Sequence, residues 1–496
     1  MTIGIVREPS VFEIKTIQEI YAEIQDVYRK QQRPWVVGFS GGKDSTATLQ
    51  TVWKAIAALP PEERIHPIYV IASDTRVETP VIVDHIDNHL RLINKAAQEQ
   101  GLPFQAQKVV PTLNDSFWVN LIGRGYPAPT VRFRWCTERM KIKPANQFIS
   151  EKVAQHGEVI MVLGVRRSES ATRAQLMSTY QVQGNDTLRR HTTLPGAYVF
   201  APIQDFSTDD VWSYLLQVPS PWGGSNRDLA ALYRNASTAG ECPLVIDTST
   251  PSCGSSRFGC WVCTVALKDS SMEAMIMNGE EWMEPLLDFR DYLAKTTKPE
   301  HKHEFRGLKG RDGRVKFIKP ATSKGANESS NTSKYTLDDD GRVIFHQEGV
   351  AAARTYTMET SRDMLQRLLN VQKTVQASAP NGEGHLISTE ELMEIRRIWR
   401  NERQDWDDSV PTIYQDVYGE TLNWSTDDDG VFASDQRALL EGLCKEQDLP
   451  FELVAKLLEV EKASSGLARR AGVQRDLGRV LNEEWRVVEE IQKGLF

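Results

Sequence analysis

The chain has 496 residues, 40% of them hydrophobic, 8% aromatic and 25% charged. This composition excludes collagen-like, disordered and disulfide-dense secreted classes, and the length accommodates about two to four domains with a sizeable core. Lysine and arginine total 59 against 67 acidic residues, a net charge of -8, so any nucleic-acid contact must come from local basic patches. The N-terminal MTIGIVREPSVFEIK lacks the charged start, apolar core and cleavage site of a signal peptide. No apolar run approaches the roughly 18 residues that span a bilayer. The expectation is a cytoplasmic protein with no membrane contact.

Residues 13–31 carry apolar side chains at helical spacing and predict a leading helix. Trp35–Phe39 is a short apolar run that ends at Ser40-Gly41-Gly42, and Ser45–Leu59 reads as a helix, so this stretch is one βα unit. Ile68–Ala72 is a strand before Asp74-Thr75, and Pro80–Gln100 is helical. Phe104–Val110, Val159–Val165 and Tyr198–Ile203 are three further strands. Strands alternating with helices predict an α/β domain over residues 1–220, its parallel sheet covered on both faces.

Residues 221–300 form a Cys-rich segment whose first half is rich in Gly, Pro and Ser and hard to fold on apolar burial alone. A helix over Ser271–Lys295 follows. Residues 301–345 read as a basic and polar linker or loop: His301–Pro320 holds seven Lys/Arg against two acidic residues, and Ala321–Thr336 is of low complexity. Residues 346–496 read as a helical C-terminal domain, with helices over Thr360–Val375, Ser388–Glu402, Asp435–Glu446, Pro450–Ala463 and Arg475–Lys493. Ser388-Thr389-Glu390-Glu391 fits a capping box. No catalytic pattern stands out there, and Cys444, among Leu440, Leu443 and Leu449, reads as packing.

Ser40-Gly41-Gly42-Lys43-Asp44-Ser45 sits at the C-terminal end of the first strand, where an open parallel sheet holds its ligand. Two glycines let backbone N–H groups approach an anion, and the following helix N-terminus adds its positive dipole. Lys43 supplies a full charge, and Ser40 and Ser45 supply hydroxyl donors. The order of residues is not that of a Walker A loop, because Asp44 follows Lys43 and the first glycine is misplaced.

This segment resembles the pyrophosphate loop of the ATP pyrophosphatases related to adenylyl-sulfate reductases. Ser73-Asp74-Thr75 with Glu78, Trp135-Cys136-Thr137, Gly164-Val165-Arg166-Arg167-Ser168-Glu169-Ser170 with Arg173, and Pro202-Ile203 leading to Asp209–Leu215 resemble the same family in the same order. The resemblance implies an adenine nucleotide alpha hydrolase-like (PP-loop) fold. It places the β,γ-phosphates of ATP in the SGGKDS loop, with the base over the second strand. An acceptor oxygen attacks the α-phosphorus and pyrophosphate leaves, so Lys43 and the loop amides would stabilise the leaving group. Asp44 and Asp74 are the nearest candidates to hold Mg²⁺ on the phosphates. Arg166, Arg167 and Arg173 are candidates to clamp a phosphate or a nucleic-acid backbone. Asp209–Leu215 reads as structural, a capped helix whose Trp212 and Leu215 pack against the sheet.

Six cysteines in such a chain are not a disulfide framework. Cys242, Cys253, Cys260 and Cys263 fall within 22 residues, with Cys136 and Cys444 outlying, and four clustered thiolates suit zinc or an iron–sulfur cluster. Spacing does not choose between the two. The resemblance favours a [4Fe–4S] cluster, because one branch of the adenylyl-sulfate reductases carries one on an early tandem cysteine pair and a late CxxC. Here the early pair is reduced to Cys136. One ligand set is therefore Cys242, Cys253, Cys260 and Cys263, and another has Cys136 replace one of the first two.

The segments Cys242–Thr248 and Pro251–Cys263, with the length and the helical extension, resemble the DndC-type sulfurtransferases of bacterial DNA phosphorothioation. That likeness implies ATP pyrophosphatase activity and a [4Fe–4S] cluster. It also implies DNA as substrate, a cysteine desulfurase as sulfur donor, and companion Dnd proteins in a complex. Sulfur would arrive on the cluster or as a persulfide on Cys136, which joins Lys43 and Asp44 as a catalytic candidate. Basic residues at Arg132–Lys143, five against one acidic, and at Arg166–Arg190, five against two, would with His301–Pro320 form a local cationic face. The competing readings are a phosphoadenylyl-sulfate reductase-like enzyme of sulfate assimilation, a tRNA thiolation enzyme, and a non-catalytic, nucleotide-sensing DNA-interaction subunit. The absence of a cysteine in Glu489–Phe496 counts against the first, and the intact SGGKDS against the last.

Overall fold

The computed structural model describes residues 10–167, 181–182, 185–235, 259–310, 313–315, 317–318, 335–337, 343–345, 350–351, 353–380, 384–424, 434–464, 472–483 and 485. The chain divides into two compact units. The first comprises residues 1–117, 129–291 and 375–386, and the second residues 118–128, 292–374 and 387–496.

The first unit is built on β1 (Trp35–Gly38), β2 (Ile68–Ser73), β3 (Phe104–Val109), β4 (Val159–Val162), β5 (Gln181–Val182), β6 (Asn185–Arg190) and β7 (Ala197–Phe200). They form one sheet in the order β3-β2-β1-β4-β7-β6-β5. The pairs β2–β3, β1–β2, β1–β4 and β4–β7 are parallel. The edge departs from the all-parallel expectation, because β6 runs antiparallel to both β7 and β5. The turn between β6 and β7 is short enough for an antiparallel return, whereas a parallel neighbour needs a crossover of a dozen residues or more.

Both faces of the sheet are covered. Trp35, Val37, Ile68, Val70, Ile160 and Val162 pack into one apolar cluster, and Val36, Tyr69, Ile71, Val159 and Met161 into another. Alternate residues of each strand thus enter opposite cores, which explains why these strands read as continuous apolar runs. The first face receives α1 (Ile17–Lys30), α2 (Lys43–Ala57) and α3 (Pro80–Glu99), and the second α4 (Lys143–His156). The helix expected at Asp209–Leu215 is α5 (Thr208–Gln217), opened by a capping box between Ser207 and Asp210. Leu215 enters the core, while Trp212 lies edge-on against Tyr233 of α6 (Asn226–Asn235).

The single helix expected over Ser271–Lys295 is two, α7 (Ser270–Met277) and α8 (Glu284–Lys295). Gly279, at φ +108°, ends the first, a conformation open to glycine and strained for other residues.

The second unit is largely helical: α10 (Met358–Ser378) through Thr374, α11 (Thr389–Glu402), α12 (Ser409–Tyr418), α13 (Ser434–Glu446), α14 (Phe451–Ala463) and α15 (Val473–Leu481) follow the short α9 (Lys302–Phe305). The Ser388–Glu391 capping box is formed, and Cys444 is buried. Within this unit Trp399 donates from Nε1 to the Ile122 carbonyl at 3.0 Å, holding α11 on the π-helical turn Val119–Gly123. The last described helix ends at Leu481; most of the remainder of the helix expected over Arg475–Lys493 lies outside the described residues. Among the described residues no helix is long and apolar enough to cross a membrane.

Candidate functional site

β1 delivers the chain to Ser40-Gly41-Gly42, and α2 begins at Lys43 with Gly42 as an N-cap that has no side chain to satisfy the first amides. Gly41 sits at φ +70° with the ring of His85 and the side chain of Ile86 against it. The loop is braced internally. The Ser40 and Ser45 hydroxyls lie 3.0 Å apart, Ser45 Oγ donates to the Gly42 carbonyl at 3.0 Å, and the Ser40 amide donates to Ser45 Oγ. The amide of Lys43 donates to the Tyr233 hydroxyl at 3.0 Å, so Tyr233 occupies the first amide of α2.

Lys43, Asp44 and Arg166 form a buried ionic set. Lys43 Nζ lies 2.6 Å from one Asp44 carboxylate oxygen, and Arg166 Nε donates to the other at 2.8 Å. Arg166 is 3% exposed and also approaches the Phe206 carbonyl. Two cations thus share one carboxylate at the mouth of the loop. An incoming phosphate must compete with Asp44 for Lys43, and a cation held by Asp44 must displace these partners. Gly164, in the chain after β4, permits the approach of Arg166: a Cβ there would meet the Asp44 carbonyl oxygen and Thr48 Oγ1 at 2.8 Å.

The other expected ligands are separate from this set. Asp74 bonds the Arg76 amide at 2.8 Å and Lys108 Nζ at 3.1 Å. Arg167 is exposed and pairs with Asp205 at 3.0 Å. Within the basic run, Arg139 and Lys143 both engage the buried Asp115, which lowers its pKa despite burial. Ser168–Ser170, Arg173, Cys242 and Cys253 lie outside the described residues.

The CxxC is docked onto the ligand end of β2. Cys260 makes an antiparallel bridge with Glu78, and the Trp261 amide donates to the Val77 carbonyl at 2.9 Å. Cys260 Sγ lies 3.4 Å from Thr75 Oγ1 and 4.0 Å from Glu78 Oε1. Burial raises the pKa of both Cys260 and Glu78; the Glu78 carboxylate raises Cys260 further, Asp74 raises Glu78, and the Lys141 ammonium lowers both. Lys141 belongs to the π-helical segment Thr137–Ile142 that follows Cys136, itself half-buried beside Trp135 stacked on Phe117. From below, Arg290 of α8, 1% exposed, donates to the carbonyls of Cys263, Ala266 and Leu267 and fixes the turn.

Cys260 and Cys263 share one turn, closed by the Cys263 amide on the Cys260 carbonyl at 3.0 Å, and neither forms a disulfide. A protonated, buried thiol whose charge needs compensation fits a ligand that loses its proton to a cluster or metal. Among the described residues no three His, Cys, Asp or Glu side chains converge on one point. Cys260 and Cys263 are thus neighbours on one turn, as the expected ligand set requires, while Cys242 and Cys253 of that set lie outside the described residues and Cys136 is its alternative member.

Sequence reasoning missed His85 and His89. They lie one turn apart on α3 with ring centroids 4.2 Å apart, and His85 packs on Gly41 of the loop. Burial holds the His85 imidazole down to about 4, and lowers His89 as well, so both are neutral at pH 7. Their i, i+4 spacing is the only signal in the sequence. Tyr233 was missed because it lies 190 residues from Lys43.

Residues 34–266 match the family model described as phosphoadenosine phosphosulfate reductase domain. Over 199 residues the chain is 28% identical to an uncharacterized protein of Methanocaldococcus jannaschii. The match takes in 40% of this chain and 35% of that protein, so this chain spans about a third of the relative's length. Among solved structures it is similar to the phosphoadenylyl-sulfate (PAPS) reductase of Candida auris in its phosphate complex, at 15% identity, covering 42% of this chain and 84% of that one. It is also similar to the U34-tRNA thiolase NcsA of Methanococcus maripaludis with its [4Fe-4S] cluster, at 14% identity, covering 44% and 72%. Both structural likenesses are weak, with TM-scores of 0.26. Residues 34–266 thus match the phosphoadenosine phosphosulfate reductase domain model, and the loop and the mostly parallel sheet give this region a PP-loop-like α/β fold.

Proposed function

We propose that this protein is a DNA phosphorothioation sulfurtransferase that uses ATP, releases pyrophosphate and helps to replace a non-bridging phosphate oxygen of DNA by sulfur. The observation that carries the reading is the placement of the SGGKDS loop and the CxxC turn on adjacent strands, β1 and β2, at the same end of one sheet. Nucleotide activation and thiol chemistry then share a site. The choice of DNA rests on the resemblance of the segments Cys242–Thr248 and Pro251–Cys263 and on the helical extension.

In the first step a DNA phosphate oxygen attacks the α-phosphorus of ATP. The new P–O bond forms as the bond to the β-phosphate breaks, and pyrophosphate carries away the negative charge. Lys43, released from Asp44, and the amides of α2 that follow the one held by Tyr233 receive that charge, in a buried setting where fixed donors act strongly. Mg²⁺ on the phosphates is the second charge partner, with Asp44 and Asp74 as its candidate carboxylates. In the second step a sulfur nucleophile attacks the activated DNA phosphorus, a P–S bond forms, and AMP leaves with the oxygen. A cysteine desulfurase is the source of the sulfur, companion Dnd proteins present the DNA, and Cys136 is the candidate carrier. The terminal sulfur of its persulfide attacks phosphorus. A dithiol reductant then cleaves the S–S bond, freeing the phosphorothioate and the Cys136 thiol as the reductant becomes a disulfide. The [4Fe–4S] cluster would be held by Cys260 and Cys263 with Cys242 and Cys253, and supplies sulfur and electron chemistry when bound.

The products of ATP test this reading. Incubation with ATP, Mg²⁺, DNA and a cysteine desulfurase with cysteine is expected to yield AMP and pyrophosphate in equal amounts, and Lys43→Ala is expected to abolish both. ADP and inorganic phosphate as products, or full turnover by Lys43→Ala, would remove the loop from the mechanism.

A further inference from the structure

The helical unit contains a cavity of about 1510 Å³, larger than the roughly 300–1,000 Å³ of sites that hold one small ligand. Its lining is polar and cationic. Arg124, Arg314, Arg403, Lys456, Arg475 and Arg479 line it, against three glutamates. All three glutamates already have basic partners: Glu452 has Lys309 at 3.1 Å, Glu483 has Lys456, and Glu402 has Arg397 at 3.8 Å.

Arg403, Arg475 and Arg479 are the surplus. Arg403 is buried, and its guanidinium donates to the carbonyls of Ile122, Gly123 and Tyr356 and to the Ser361 hydroxyl, which are all neutral acceptors. Burial draws its pKa down to about 10, so it still carries a full charge at pH 7. A buried cation without a hydrogen-bonded anion is costly, and an anion in the cavity offsets that cost. Arg475 and Arg479 are 83% and 74% exposed, and among the described residues each is ion-paired only with Asp476, at 3.8 and 3.9 Å. Contacts of that length at the surface contribute little.

α15 is arranged to present these charges. Arg475, Gly478, Arg479 and Asn482 line the cavity at i, i+3, i+4 and i+7, one face of a helix. Gly478 leaves open space between the two arginines, since a Cβ there would meet nothing within 4 Å. Among the described residues no aromatic side chain lines the cavity, which favours contact with a backbone over stacking on bases.

We propose that this cavity binds a nucleic-acid phosphodiester backbone, held by Arg475 and Arg479 at its rim and by the buried charge of Arg403, with no reading of bases. The phosphodiester chemistry stands on the cavity itself; that the strand is DNA rests on the function proposed above. The site would hold the substrate polymer while its target phosphate reacts elsewhere.

Fluorescence anisotropy of the full chain with a labelled DNA duplex and a labelled tRNA, across a KCl series, tests the proposal. Arg475→Glu with Arg479→Glu is expected to weaken binding at least about tenfold and to flatten the log–log salt dependence by about two. The paired glutamine variants should fall between, with circular dichroism and Tm unchanged in both. Wild-type affinity and salt slope in the paired glutamate variant would overturn the proposal, as would no binding of either polymer by the wild type at about 50 mM salt. A loss confined to tRNA keeps the cavity as a nucleic-acid site and refutes the DNA reading. A wild type that inserts sulfur into DNA while DNA binding ignores both variants refutes the cavity and leaves the function standing.

Discussion

The sulfur of Cys260 lies 3.4 Å from the hydroxyl of Thr75, a residue 185 positions earlier in the chain. Thr75 belongs to the turn after β2, and β2 is the immediate neighbour of β1, whose end carries the SGGKDS loop. One contact thus ties the thiol segment to the end of the sheet that carries the loop. The same turn holds Glu78 through its Thr75 amide and hydroxyl, and Glu78 in turn bridges to Cys260.

The ionic set at the loop should be indispensable to the fold as well as to turnover. Arg166→Ala leaves the buried Asp44 with one cation and opens a void, and breaking a buried pair costs about 3–5 kcal/mol. Urea denaturation should show a loss of that size, with pyrophosphate release below detection. A variant with native stability would mean that Arg166 does not hold Asp44.

Gly164 and Gly157 make a controlled pair. Gly164→Ala puts a methyl group 2.8 Å from the Asp44 carbonyl oxygen, and is expected to cost about 1–3 kcal/mol and to impair ATP turnover. Gly157→Ala, at φ +82° with open space around it, should cost about 1 kcal/mol through backbone strain alone. Its turnover should match the wild type. Equal effects of the two on turnover would contradict the role given to the approach of Gly164 to α2.

The histidines beside the loop give the fold an acid limit. Folding lowers the His85 pKa from 6.5 to about 4, so the unfolded chain takes up a proton first as pH falls. The stability this group contributes is complete above pH 6.5 and is lost between 6.5 and about 4, a change of about 3 kcal/mol. Urea midpoints at pH 7 and pH 5 should differ more for the wild type than for His85→Gln. Parallel pH profiles would show that His85 is not the group that titrates.

Arg290 holds three carbonyls around the CxxC turn, a task that needs the planar fork of a guanidinium. Arg290→Lys keeps the charge but cannot reach all three. Anaerobically purified protein should then carry less iron per chain, and lose about 2–3 kcal/mol of stability from unpaired buried carbonyls. Wild-type iron content and stability would show that the turn organises itself.

The loop was legible because its signal is local: an apolar strand, two glycines and a lysine within ten residues. The core strands were legible for a related reason. Burial on both faces makes Trp35–Gly38 and Val159–Val162 unbroken apolar runs. What escaped depends on chain separation. Tyr233 reaches the Lys43 amide from α6, which lies in a stretch whose composition hides its helix, and Glu78 meets Cys260 across 182 residues. The antiparallel edge escaped because β6 is polar and lacks the alternation of a half-buried strand. The inward pairing of Arg139 and Lys143 with Asp115 escaped because a run of basic letters does not reveal which of them face a buried carboxylate.

The most direct test of the account follows sulfur. The anaerobically purified full chain, with a cysteine desulfurase and the companion Dnd proteins proposed for it, is supplied with ³⁵S-cysteine, ATP, Mg²⁺ and an equal mixture of DNA and tRNA. The account expects label in nuclease-resistant phosphorothioate linkages of the DNA, dependent on ATP and absent with Lys43→Ala. Label in tRNA bases, or label in DNA without ATP, would contradict it.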